Sequence, residues 1–272
     1  MKRLHAVAIA ARSDVRLGIP GRRRAGFVFA LLLAVLCLPA GAAAQQLTVS
    51  AAASLTQVFR DLATLFEQAH PGVTVRLNLG GSGVLLQQIA QGAPVDVLAA
   101  ADAATIQRGV ERGLLDADTR MVFAANSLVL IVPAGEPGGL NRLEDLRASR
   151  VERIAIGKPA IVPVGSYARE AMEVAGLWPD LQPKLIQADN VRQVLEYVAR
   201  GEVSAGFVYR TDACAMPEKV RVVLTVQGRQ PVTYPAAVVK ESRQTALAGE
   251  FVQFLRLPAA REVLTRHGFL QP

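Results

Sequence analysis

Gln46–Thr56 reads Q-L-T-V-S-A-A-A-S-L-T: a short apolar run that stops at three alanines and then meets Ser54. The run has the make-up of a buried strand. Leu55, Val58, Phe59, Leu62, Leu65 and Phe66 then recur at about 3.6-residue spacing, which predicts an amphipathic helix over Ser54–Gln68. A strand that feeds a Ser-opened helix aims backbone N–H groups and a hydroxyl at one point. Such a point suits an anion, because a helix's first turn has unpaired donors and partial positive charge. The plainer reading is that Ser54 only caps the helix. Recurrence of the arrangement separates the two.

It does recur. Leu79-Gly80-Gly81-Ser82-Gly83 ends a second strand and opens a helix, with glycines that let the backbone approach a ligand and Ser82 supplying a hydroxyl. Pro159–Tyr167 leads into A-R-E-A-M-E-V-A, which sets the N–H of Val164 where a helix begins. Ala188-Asp189-Asn190-Val191 opens R-Q-V-L-E-Y-V-A-R, with Asp189 as the expected cap and the Val191 N–H among the free amides. Gly206-Phe207-Val208-Tyr209 is a strand end that delivers a phenol. Singly, each of these is ordinary capping or a structural tyrosine.

Around these points strands and helices alternate. Strands are expected at Leu47–Ser50, Thr74–Leu79, Val95–Ala99, Ser127–Val132, Arg153–Ile156, Ala205–Tyr209, Val220–Thr225 and Ala236–Val239. Helices are expected at Gly83–Ala90, Ala103–Arg112, Gly165–Ala175, Val191–Arg200 and as a pair after Arg243. The pattern is α/β, with mostly parallel sheets covered by helices. Crossings near Asn126 and Thr233 give a discontinuous first lobe, 45–125 plus 234–272, and a second lobe, 126–233. Two lobes joined by two crossings make a hinge with a ligand cleft between them.

Residues 1–44 read as an export signal: Arg22-Arg23-Arg24, an apolar stretch Gly26–Pro39 too short to span a membrane, and Ala42-Ala43-Ala44 as a cleavage site. Of 30 basic and 23 acidic residues, seven and one lie in this segment, leaving 23 and 22 and a net charge of +1. The chain's +7 therefore belongs mostly to the signal and gives no support to nucleic-acid binding. Beyond the signal Cys214 is alone, so no internal disulfide forms. His70 and His267 have no Cys or second His at ligand spacing, so no metal is expected on side chains. A hydrolase is disfavoured: G-G-S-G-V is not the nucleophile elbow because position 84 is Val, and His70 and His267 are not placed as a base.

Several segments taken together resemble one family: A-A-A-S-L-T at 51–56, the Gly-Ser loop and helix at 79–90, Q-G-A-P-V-D-V at 91–97, N-S-L-V-L-I-V-P at 126–133, G-K-P-x-x-V-P-x-G-x-Y-A-R-E-A at 157–171, A-D-N-V-R at 188–192, G-F-V-Y-x-x-D-A at 206–213 and R-H-G-F at 266–269. In this order they look like the periplasmic molybdate-binding proteins of ABC importers, from Gln46 to Phe269. The resemblance implies a two-lobed binding-protein fold with the ligand cleft at the hinge. It implies a monomeric, non-enzymatic periplasmic receptor for molybdate or tungstate, without a cofactor, that serves a membrane permease. It further implies that the oxyanion is held by Ser54, Ser82 and Tyr209 through hydroxyls and by Val164 and Val191 through N–H groups, molybdenum being bound only as molybdate. Some members carry a run of serines where this chain has Gly81-Ser82-Gly83. Lys158 stands where an acidic residue can occur; a place at the cleft lip would let it steer anions, and a solvated lysine is the plainer reading. A sulfate or other oxyanion receptor on the same fold is the alternative, since sulfate matches molybdate in charge and lacks protons.

Overall fold

The computed structural model describes residues 45–136 and 138–272, and the expected export signal lies outside the described residues. Two five-stranded sheets form the framework. β1 (Gln45–Ala52), β2 (Val73–Gly80), β3 (Val97–Ala99), β4 (Met121–Asn126) and the late strand β10 (Val232–Val238) make the first, in the order β2-β1-β3-β10-β4. β5 (Leu128–Pro133), β6 (Ile154–Gly157), β7 (Leu185–Ala188), β8 (Ala205–Tyr209) and β9 (Val220–Val226) make the second, in the order β7-β6-β8-β5-β9.

β1 runs parallel to β2 and β3, and β6 runs parallel to β7 and β8. β10 runs against β3 and β4, and β5 against β8 and β9. Each sheet thus has four strands in one direction and one reversed. The reversed strand is the one that enters from the other sheet. The chain leaves β4, crosses at Ser127 and enters β5; it leaves β9 and returns through 227–231 into β10. Val232 and Thr233 already pair with Asn126 and Ala125 in the first sheet, so the return crossing comes before Thr233.

Helix α1 (Thr56–Ala69) shows how the framework is held. Val58, Phe59, Leu62, Ala63 and Phe66 are buried on one face, while Leu65 at its margin is half-buried. Burying a side chain of the Val, Leu or Phe kind contributes about 1.5–3 kcal/mol. Phe66 meets Phe251 and Phe254 of the late helix Thr245–Phe254 edge-on at 5.0 and 5.3 Å. The discontinuous C-terminal segment is thereby packed onto the first lobe.

Two strands lie outside the sequence-based expectation, β4 and β7, and both are sheet edges. β4 carries Ala124, Ala125 and Asn126, poor strand formers. β7 is only four residues long and half exposed. In both cases tertiary pairing overrides weak local preference. The four co-directional strands of each sheet point their C-terminal ends at the other lobe, the place where open α/β sheets present their loops to ligands.

Candidate functional site

The C-terminal ends of β1, β2, β6, β7 and β8 converge on one small pocket with a cavity volume of about 10 Å³. That is far below the roughly 300–1,000 Å³ of pockets for organic ligands and leaves no room for one. Ser54, Ser82, Val164, Val191 and Tyr209 all line it. A larger groove of about 580 Å³ lies at the opposite end of the first sheet. Its buried Asp96 is already satisfied by the Thr48 N–H and the Ser242 hydroxyl, both at 2.7 Å.

From the first lobe come the two serines. Neither is a cap. Ser54 lies in a single tight turn, Ala53–Leu55, and α1 after it has no side-chain cap. Ser54 Oγ instead accepts from the Tyr234 hydroxyl at 3.1 Å. Ser82 is the first residue of helix α2 (Ser82–Ala90), with Gly81 at the cap position, and its Oγ accepts from the Ala101 N–H at 3.1 Å. Both serines are buried, and in both the oxygen takes a proton from the protein, so the hydroxyl's own proton remains to be given.

After helix α3 (Ala103–Glu111), whose cap Asp102 accepts from Thr105 N–H, the second lobe contributes two helix starts and a phenol. Val164 lies in the first turn of α4 (Pro163–Val174), opened by Pro163 at its first position. Val191 is the first residue of α5 (Val191–Ala199). First-turn N–H groups have no intrahelical acceptor and lie at the positive end of the helix dipole. The cap of α5 is Asn190 rather than the expected Asp189: Asn190 is extended and its side chain accepts from Gln193 N–H at 3.1 Å. Asp189 instead pairs with Lys158 at the surface, so Lys158's charge is compensated and does not project as a free anion-steering cation.

Tyr209 is 1 % exposed, and its hydroxyl has no hydrogen-bond partner among the described residues. A buried polar atom left unpaired is rare and costly, and marks a group reserved for something else. Burial, and after it the neighbouring Tyr234, Tyr167, Asp102 and Asp212, pushes this phenol well above its ordinary pKa. It stays protonated and is a donor. The pocket thus offers hydroxyl and backbone donors, and no Lys, Arg, Asp or Glu lines it.

The lobes touch around this pocket. The Gly83 N–H donates to the Ile161 carbonyl across the cleft at 3.0 Å. Arg192 Nε, on α5, donates to the Ala53 carbonyl beside Ser54 at 3.3 Å and pairs with Asp212 Oδ1 at 3.2 Å. Asp212 is fully buried, and its other oxygen accepts from the Tyr209 N–H at 3.3 Å. Burial pushes its pKa up to about 6, with Arg192 and the Tyr209 N–H opposing. Arg192, Asp212, Tyr234 and Asn126 were not legible as site residues, because each acts through a partner distant in sequence. The histidines are engaged elsewhere: His267 with Asp61 at 2.8 Å, and His70 with Glu250 at 3.4 Å and the Phe66 carbonyl at 2.8 Å.

A family model described as bacterial extracellular solute-binding protein matches residues 47–270. The molybdate-binding protein ModA of Escherichia coli is 37% identical over 233 residues, covering 82% of this chain and 88% of that protein. A putative ABC transporter substrate-binding lipoprotein of Bacillus subtilis, YvgL, is 34% identical over 225 residues, covering 82% and 85%. Among solved structures, the periplasmic molybdate-binding protein of Azotobacter vinelandii superimposes with a TM-score of 0.71 at 25% identity, covering 83% of this chain and 99% of that one. The sulfate-binding protein SubI of Mycobacterium tuberculosis, at 19% identity and a TM-score of 0.74, shares the fold.

Proposed function

The chain belongs to the bacterial extracellular solute-binding proteins, and from that membership we propose that it captures molybdate between its lobes and delivers it to the membrane permease of an ABC importer. Tungstate, nearly the same size, is captured too. The relatives named for molybdate and for ABC transport support the substrate and the partner. We place the receptor outside the cytoplasmic membrane as a monomer, its signal removed near Ala44.

The observation that carries this reading is the unpartnered Tyr209 hydroxyl in a pocket lined by donors. A dianion taken from water must have its lone pairs filled or its desolvation is prohibitive. Ser54, Ser82, Tyr209 and the amides of Val164 and Val191 fill them without a formal positive charge. Each helix N-terminus adds about 0.3–1 kcal/mol, and up to ~2 when partly buried. A shell of donors also disfavours hydrogen phosphate, whose O–H finds no acceptor. The ion touches both lobes only when they are closed, so it selects the closed state.

Two measurements test the site. Tyr209→Phe removes one hydrogen bond to a charged partner, worth about 1.5–3 kcal/mol, so calorimetric affinity for molybdate is expected to fall about tenfold or more. Unchanged affinity removes Tyr209 from the site. Arg192→Ala cuts the link to the Ala53 carbonyl and leaves Asp212 without its cation. Truncating one partner of such a buried pair acts mainly on dissociation, and stopped-flow release of molybdate is expected to quicken at least about tenfold. An unaltered release rate rules out Arg192 as a tie between the lobes.

A further inference from the structure

Resting on the oxyanion reading, we infer that Asn126 and Tyr234 are positioning residues: they form a one-way hydrogen-bond chain that reserves the single proton of Ser54 for the ligand.

The chain starts at the backbone. The Ser127 N–H donates to Asn126 Oδ1 at 2.8 Å. A backbone N–H cannot accept, so this bond fixes which end of the amide is oxygen. The Nδ2 end then faces Thr211 Oγ1 at 2.9 Å and the Tyr234 hydroxyl at 3.4 Å. An amide nitrogen has only protons to offer. Tyr234 therefore accepts from Asn126 and turns its own proton to Ser54 Oγ, 3.1 Å away. Ser54 accepts there and keeps its proton for the pocket it lines.

Direction matters because a serine has one proton. Were the bond reversed, Ser54 would spend that proton on Tyr234 and face an anion with lone pairs. Asn126, Thr211, Tyr234 and Ser54 are all buried, so water does not compete for the chain. The Tyr234 ring is held edge-on by Phe269 at 5.3 Å and Tyr209 at 5.8 Å, which fixes where its hydroxyl points. Ser82 has the same polarity from a simpler device, the Ala101 N–H, which can only donate. The chain also bridges the lobes, since Asn126 ends β4 while Thr211 follows β8.

Asn126→Asp tests the direction with almost no change of shape. The carboxylate accepts from Tyr234, Tyr234 turns away from Ser54, and the Ser54 proton is lost to the ligand. The new negative charge weakens binding as well, so the measurement is a cycle: molybdate affinity of the wild type, Asn126→Asp, Ser54→Ala and the double variant at neutral pH. Charge repulsion acts with or without the Ser54 hydroxyl, whereas proton reversal acts only with it. Asn126→Asp is expected to cost about tenfold more in the wild type than in the Ser54→Ala background, the size of one hydrogen bond to a charged group. Equal cost in both backgrounds overturns the chain. Tyr234→Phe, which keeps the ring, is the second variant should the carboxylate prevent folding: its cost is expected to vanish in the Ser54→Ala background, and a persisting cost overturns the inference. A folded wild type that binds no oxyanion overturns the functional reading, and this inference with it.

Discussion

Gly83→Ala is expected to leave a well-folded, slightly more stable protein that has lost most of its affinity for molybdate. The two effects have opposite signs because they arise in different states. Within α2, alanine is the better helix former by about 0.5–1 kcal/mol. In the closed arrangement, however, a Cβ at position 83 would lie 2.5 Å from the Ile161 carbonyl oxygen and 3.0 Å from its Cα. These are backbone atoms of the opposite lobe, not a flexible side-chain tip. The Gly83 N–H bond to that carbonyl would be strained at the same time. Relief comes from opening, which takes Val164, Val191 and Tyr209 away from the two serines. Overpacking costs about 1–3 kcal/mol, which predicts a fall in affinity of roughly 5- to 150-fold. Calorimetry and ligand-free melting on the same sample check both signs. Wild-type affinity would mean that these loops do not meet in the bound state.

Gly165→Ala is expected to act on the fold itself. A Cβ here would sit 1.9 Å from the Gly157 carbonyl oxygen and 2.4 Å from its carbon. Both residues belong to the second lobe, at the contact between α4 and the end of β6, so no domain movement relieves the clash. The helix must lift off the sheet, and with it the Val164 amide. A loss of about 1–3 kcal/mol or more is expected. For a protein of this size, that lowers the melting midpoint by roughly 2–4 °C per kcal/mol. Ligand-free thermal melting reads it directly, and an unchanged midpoint would contradict the packing of α4 on β6.

The strand ends and helix starts that build the pocket were legible because apolar runs terminating at Ser, Gly or Asp carry a local signal. Val164 and Val191 are legible only as helix starts with free amides: an amide donor leaves no trace in side-chain type, and the resemblance assigns their roles. The supporting residues lay further out of reach. Ser54 and Tyr234 are 180 residues apart in sequence, and Tyr234 lies before the strand expected at Ala236–Val239. Arg192 and Asp212 are 20 residues apart and carry no local signal of a shared role; only the fold brings them together at 3.2 Å. The choice of Asp189 over Asn190 as the cap of α5 was a shift of one residue that backbone geometry alone resolves.

Calorimetric titration of the purified protein with molybdate, tungstate, sulfate and phosphate at neutral pH shows which ion the pocket takes. Tight binding of molybdate and tungstate is expected, with much weaker sulfate and no measurable phosphate. Tight sulfate with poor molybdate would keep the donor-lined pocket and reassign its ion. No heat and no thermal shift with any of the four would contradict the oxyanion site altogether.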